Sequence, residues 1–260
     1  MSKAEFAFSI PESVSFQIVG LIRSEFKTKG AVPRQPNVIE GIQGTVVLEK
    51  TTEKRQWIRG LEEFSHLWVL FLFHANGVNK NRPIVHVPPG REVVGRGVFA
   101  TRSPYRPNPI GLSVVRLLEI RELHNEIQLL IEGGDFLDMT PVIDIKPYIP
   151  YADCIPEAVG AWAAKPPTPH LLVEWTQEAT NRLKALAQAD FNRLLTILTD
   201  IIGHDPRPFH HRFPKKNNQT TSENMWSFHF GSFRIYFSVE LNTANVVNVE
   251  LEASVATNVG

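Results

Sequence analysis

Cysteine is almost absent from this 260-residue chain, with Cys154 the single example. One thiol excludes an internal disulfide framework and a cysteine-based zinc site, and it fits a reducing compartment. Net charge is missing too, since 27 Lys and Arg balance 27 Asp and Glu. No stretch reaches the ~18 uninterrupted apolar residues of a membrane-spanning helix, and the first residues lack a basic start followed by a long apolar run. The expectation is a soluble, cytoplasmic protein with no membrane partner. Nor does any Gly-x-Gly-x-x-Gly run follow a strand-like segment, so nothing suggests a Rossmann cofactor site.

Charge that cancels overall is unevenly spread. Residues 1–115 hold 15 Lys and Arg against 9 Asp and Glu, whereas residues 116–260 hold 12 against 18. A basic first half suits a polyanionic partner, and an excess of this size is also what a solvated face carries. Within that half, residues 95–112 read GRGVFATRSPYRPNPIGL, with Arg96, Arg102 and Arg106 set among Pro104, Pro107 and Pro109. Each proline fixes its own φ and pushes the preceding residue towards extended geometry. The segment is therefore stiff and irregular, and it presents arginine forks suited to carboxylate or phosphate at small entropic cost. The same features describe a rigid surface loop with solvated arginines.

Strands are expected over residues 14–22, 44–49, 93–100, 110–119 and 126–131, from β-branched enrichment and alternation. Between the first two, Lys27-Thr28-Lys29-Gly30 reads as a turn with a glycine for the positive-φ position, and Pro33-Arg34-Gln35-Pro36 as an arginine held between prolines. Residues 56–64 suggest a short helix or turn. Residues 67–73 (LWVLFLF) form an apolar run without alternation, expected to be a strand buried on both faces and ending at His74. His66, among apolar neighbours, reads as a hydrogen-bonded core histidine. Residues 79–90 are a proline-punctuated loop. Many short strands with few helical stretches before residue 155 point to an antiparallel barrel. Asp135 and Asp138, three apart, can cap backbone N–H groups or receive the ribose hydroxyls or ammonium of a cofactor.

Residues 155–169, rich in Ala and Pro, mark a linker between a first unit (1–155) and a second (170–260). Leu171, Leu172, Trp175, Ala179, Leu183 and Leu186 recur at helical spacing, as do Leu194, Leu195, Leu198, Ile201 and Ile202. After a polar stretch at 215–223, alternation around Gly231-Ser232 predicts a hairpin, with residues 246–251 as a further strand. The second unit is thus a small α+β domain in a mainly β protein. His204, His210 and His211 lack the spacing and carboxylate setting of a zinc site, so no metal is expected.

Several motifs in order resemble the TsaA-like (TrmO) family of S-adenosylmethionine-dependent tRNA methyltransferases. They are Pro33-Arg34-Gln35-Pro36, Gly60-Leu61-Glu62 with Phe64-Ser65-His66-Leu67-Trp68, residues 97–103 (GVFATRS), residues 106–111 (RPNPIG), Asp135-Phe136-Leu137-Asp138, residues 140–148 (TPVIDIKPY) and Asp205-Pro206-Arg207-Pro208. The resemblance implies a non-Rossmann β-barrel, homodimers, and methylation of N6 of threonylcarbamoyladenosine at position 37 of tRNA. It implies S-adenosylmethionine contacts at Pro33, Arg34, Gln35, His74, Ala75, Arg102, Leu112, Asp135, Phe136, Leu137 and Asp138. No base is identified; Asp205 and Arg207 are candidates for shaping the nucleotide side. Departures from the family pattern fall at Ala75, residues 88–92, Met139 and residues 209–211. Besides the enzyme, a non-catalytic tRNA-binding module and an assembly role for the later helices are the alternative readings.

Overall fold

The computed structural model describes residues 11–76, 82–87, 94–208, 211 and 225–252. Six strands close into a barrel: β1 (Gly20–Ser24), β2 (Gln43–Glu49), β3 (His66–Leu72), then, after a two-stranded hairpin of β4 (Ile84–Val87) and β5 (Val94–Gly97), β6 (Ile110–Glu122), β7 (Glu126–Glu132) and β8 (Thr140–Pro147). Around the barrel the order is β1-β2-β7-β6-β3-β8, and every neighbouring pair is antiparallel.

Alternation, the period-two rule of a strand, fills the interior. Val46 and Leu48, Leu67, Val69 and Phe71, and Ile127, Leu129 and Ile131 are buried, with their sequence neighbours less so. β3 is therefore not buried on both faces as its apolar run suggested. Its outward residues Trp68, Leu70 and Leu72 are half-buried, and Trp68 lies beside the Tyr148 ring at 5.9 Å. The first strand is shorter than its alternation implied. Strand pairing with β2 and β8 starts at Gly20, and among the described residues no strand pairs with Val14, Phe16 and Ile18, which remain exposed. Gly30 lies in a 3-10 turn rather than at a positive φ, and the residues after β5, Val98–Ala100, form another such turn. A short helix, α1 (Thr52–Trp57), is capped by the Thr51 hydroxyl, which accepts from the Lys54 N–H at 3.1 Å.

After α2 (Pro150–Asp153), a second sheet runs β10-β11-β12-β9, with β9 (Leu172–Trp175), β10 (Met225–Phe230), β11 (Phe233–Glu240) and β12 (Thr243–Leu251). Helices α3 (Gln177–Ala187) and α4 (Phe191–Gly203) complete this unit. Residues 172–175 are thus a strand, parallel to β12, and not the start of a helix. Helix begins only after Thr176, whose hydroxyl accepts from the Ala179 N–H at 3.1 Å. The expected hairpin stands, with Gly231 at φ 59. The polar stretch 215–223 lies outside the described residues. The apolar core of this unit takes Leu183, Leu198, Ile201, Phe230 and Phe237 together with Phe26, Ala31, Ile39 and Ile42 from the connection between β1 and β2. An ion pair seals that junction, Arg193 donating to Glu25 at 2.7 Å and to the Gly41 carbonyl at 3.2 Å.

Antiparallel order places the ends of β1, β3 and β7 and the starts of β2, β6 and β8 at the same rim of the barrel. The connections carrying residues 25–42, 73–109 and 133–139 therefore gather there. Beneath them, Gly111 pairs with Phe71, and a Cβ on Gly111 would come within 2.2 Å of the Phe71 ring. Because Phe71 is 3 % exposed, that ring has no room to retreat. Gly111→Ala is expected to lower stability by about 1–3 kcal/mol, the usual cost of overpacking, read from the urea midpoint. An unchanged midpoint would contradict this packing.

Candidate active site at one rim of the barrel

The proline-rich stretch is stiff for a second reason besides its prolines. The Thr101 hydroxyl donates to the Val98 carbonyl at 2.8 Å and accepts from the Ser103 N–H at 3.2 Å, and the Ser103 hydroxyl accepts from the Tyr105 N–H at 3.2 Å. Arg106 donates to the Thr101 carbonyl at 3.2 Å. From this scaffold Arg102 donates to Oε1 of Gln35 at 2.7 Å, tying the stretch to the Pro33–Gln35 motif. Its guanidinium also faces Asp135 without touching it in an ion pair, and draws that carboxyl down in pKa. The Ser113 hydroxyl donates to Oδ1 of Asp135 at 2.6 Å, from a side chain 2 % exposed. Burial is the largest influence on Asp135 and wins, leaving its carboxyl above the ordinary aspartate range. Three segments distant in sequence thus converge through Gln35, Arg102, Asp135 and Ser113.

Asp138 behaves differently from Asp135. Its Oδ1 accepts from the Ser24 N–H at 2.9 Å and its Oδ2 from the Lys27 ammonium at 2.7 Å, so both oxygens brace the end of β1. Between the two acids, Phe136 is 2 % exposed and stands edge-on to Phe71, with ring centroids 4.9 Å apart. His74 and Ala75 belong to a 3-10 turn, His74–Asn76, where the Lys29 ammonium donates to the Ala75 carbonyl and to Asn76 Oδ1. Leu112, 49 % exposed, offers an apolar surface on the outer side of β6, opposite Leu70. Arg34 is exposed. The backbone N–H of Asn37 donates to the Gly133 carbonyl at 2.9 Å and joins the first and last of these loops. The sequence marked Lys27 and Lys29 only as part of a turn, and Ser113 and Asn37 not at all. For Ser113 a signal existed: a hydroxyl at an inward register, between Gly111 and Val115, where apolar residues are the rule.

The family model for the tRNA-methyltransferase O N-terminal domain matches residues 21–154, and that for the TrmO C-terminal domain matches residues 168–252. The chain belongs to the tRNA-methyltransferase O family. Its relatives include the Escherichia coli (strain K12) tRNA (adenine(37)-N6)-methyltransferase, 39% identical over 196 residues, covering 75% of this chain and 83% of that one. A Pseudomonas aeruginosa protein whose name places it among S-adenosylmethionine-dependent methyltransferases, RcsF, is 41% identical over 192 residues, or 73% of this chain and 80% of that one. The crystal structure of TrmO from Pseudomonas aeruginosa superposes with a TM-score of 0.70 at 31% identity, covering 92% of this chain and 98% of that chain.

In this tRNA-methyltransferase O family member, the two nucleotide-side candidates sit beside the same connection. The Pro206 carbonyl approaches within 3.6 Å of where a Cβ on Gly30 would be, which sets residues 205–208 against the turn leading to Pro33. Asp205, 2 % exposed, takes a left-handed φ of 56, a conformation aspartate tolerates better than most residues. Its carboxylate accepts a fork from Arg207, Nε at 2.8 Å and Nη2 at 2.8 Å, and the Arg207 N–H at 3.2 Å. The Arg207 guanidinium in turn lies 6.0 Å from the Trp226 ring, which packs on His211 at 4.5 Å. Arg207 thus has its orientation set by Asp205. Among the described residues no group of three His, Cys, Asp or Glu is placed to hold a metal. Asp205→Asn keeps the backbone conformation accessible and removes the charge facing a nearly buried guanidinium. It is expected to cost about 3 kcal/mol in urea unfolding, as for other half-broken buried pairs; a stability equal to wild type would show the pair to be incidental.

Proposed function

We propose that this chain methylates N6 of threonylcarbamoyladenosine at position 37 of a threonine-type tRNA, using S-adenosylmethionine. The coarser part of that reading, a tRNA adenine-N6 methyltransferase, follows from family membership. The observation that carries the site is the convergence of Gln35, Arg102, Asp135 and Ser113 at one rim. Such a site suits a ligand that is both zwitterionic and apolar. Arg102 offers a fork to the methionyl carboxylate, and Asp135 offers an acceptor to the ammonium or ribose hydroxyls. Leu112 and the backbone around Pro33–Gln35, His74–Ala75 and Phe136–Leu137 frame the adenine, and Asp138 with Arg34 closes the edge.

When bound, S-adenosylmethionine supplies a methyl group on a sulfonium whose departure leaves a neutral thioether, so no general acid is needed. What the rim supplies is alignment. Rigid loops and a pre-set arginine keep donor and acceptor groups fixed, and such positioning is able to lower a barrier by several kcal/mol. Arg207, oriented by Asp205, borders the nucleotide side as a contact to phosphate or to the carboxylate of the modification. We take residues 1–155 as the cofactor-binding unit, 170–260 as a second unit reached through a linker at 155–169, and the active species as a cytoplasmic homodimer.

Three measurements check this reading. Single-turnover methylation with labelled S-adenosylmethionine is expected to label threonine tRNA only when it carries the threonylcarbamoyl group. Label in neither tRNA would favour the non-catalytic binding module. Arg102→Ala is expected to weaken S-adenosylmethionine by on the order of 2 kcal/mol in calorimetry, the size of a charge-assisted contact; unchanged affinity would move the pocket elsewhere. The last concerns pH. Asp135 binds a cation or donor best when ionised, so affinity falls as pH drops through its pKa. Since burial raises that pKa, the loss comes at higher pH than for an ordinary aspartate. Ser113→Ala removes a hydrogen bond that favours the ionised form and moves the loss to still higher pH, whereas Ser113→Thr keeps the hydroxyl and the original profile. A profile identical in all three proteins would overturn the assignment of Asp135.

A further inference from the structure

Next to the cofactor rim lies a groove of about 310 Å³ that nothing in the site described so far uses. Its walls are Arg82, Pro83, Val98, Phe99 and Pro107. Phe99 is 79 % exposed, although its neighbour Val98 is 6 % exposed and anchors the turn. That turn is held on three sides: the Val98 N–H donates to the Pro83 carbonyl at 2.9 Å, Thr101 donates back to Val98, and the Trp162 indole N–H donates to the Ala100 carbonyl at 3.1 Å. An aromatic ring is thus presented to solvent on backbone that does not yield. Keeping so large an apolar ring in water runs against the burial that phenylalanine ordinarily finds.

Arg82 lines the groove, and Arg96, Arg102 and Arg106 lie on the stretch that carries Phe99. Arg82 lies over the Tyr105 ring at 4.8 Å and Arg96 over the Trp162 ring at 5.6 Å, so both guanidinium groups are held in place by aromatic faces. Arg102 and Arg106 follow on the same stretch. Among the described residues, none of these four arginines has a carboxylate within 4.0 Å, a state shared with Arg34, Arg59 and Arg182, whereas Arg23, Arg55, Arg116, Arg121, Arg193, Arg207 and Arg234 are all ion-paired. The Nε of Arg96 is buried and has no acceptor among the described residues. A second copy docking here by two-fold symmetry would bring arginines against arginines. A single-stranded nucleic acid satisfies both features together, with phosphates for the guanidinium groups and a flat base for the exposed ring.

We propose that Phe99 is a stacking platform for an unpaired nucleobase of the tRNA substrate, flanked by Arg82, Arg96 and Arg106 as phosphate contacts. This rests on the tRNA methyltransferase reading and adds to it a base-binding subsite outside the cofactor pocket. The test is fluorescence anisotropy of labelled threonine tRNA with the full-length wild type, Phe99→Ala and Phe99→Trp across a range of salt concentrations. Calorimetry with S-adenosylmethionine and light scattering accompany it. Phe99→Ala is expected to weaken tRNA binding about tenfold, as loss of one stacked base does. The dependence of affinity on salt stays the same, because no phosphate contact is removed. Phe99→Trp retains wild-type affinity, and cofactor binding and solution mass are unchanged in both variants. Equal tRNA affinity in Phe99→Ala and wild type would overturn the proposal. So would a fall in mass in Phe99→Ala, which would make the groove an interface between copies. Failure of the wild type itself to bind tRNA would instead overturn the functional reading beneath it.

Discussion

The ring of Phe136, driven into the end of the barrel and set edge-on against Phe71, is the contact on which the rest of the rim depends. Phe71 in turn lies over Gly111, where no side chain intervenes. Three residues from three connections or strands therefore lock together at the bottom of the site. With Phe136 fixed, its neighbours have little freedom: Asp135 is held towards β6 by the Ser113 hydroxyl, and the Phe136 carbonyl accepts from the Ser24 hydroxyl at the end of β1. Closure of an all-antiparallel barrel does the remaining work, because it returns every second connection to the same rim.

On that base the electrostatics are set by what surrounds a single carboxyl. Asp135 loses water on burial, which disfavours its charge, and regains part of the loss from the Ser113 hydroxyl and the field of Arg102. Asp138, in the same short loop, is already neutralised by Lys27 and tied to the backbone of Ser24. Two acids three residues apart are thus held differently, Asp138 braced to the end of β1 and Asp135 buried against the Ser113 hydroxyl. A comparable division appears at the second unit, where Asp205 is buried so that Arg207 keeps one orientation.

Much of this was legible in the sequence, for reasons that can be named. Proline positions showed that residues 102–109 are stiff, and alternation or β-branched enrichment located β2, β6, β7 and the β10–β11 hairpin. The order of motifs led to the family. What failed were inferences that needed to know a segment's neighbours. Residues 14–18 alternate correctly, but no strand among the described residues pairs with them, and the ladder starts with the Val19 N–H donating to the Val142 carbonyl. Leu171, Leu172 and Trp175 match helical spacing, yet β12 offers a free edge and draws residues 172–175 into a parallel strand. The run 67–73 looked buried on both faces because its outward positions are apolar too. Gln35 and Arg102 were read as parts of separate motifs, and only the fold shows them bonded. Ser113 had no motif to mark it, and its meaning appears only once Asp135 is known to lie within reach.

We propose that the Gln35–Arg102–Asp135 rim holds the cofactor, and a crystal structure of the chain with S-adenosylhomocysteine decides it. The ligand is expected over this rim, its carboxylate on Arg102 and its amino group or ribose on Asp135. Ligand bound instead at the opposite end of the barrel, or against the second sheet, with the rim residues bonded only to one another, would contradict it.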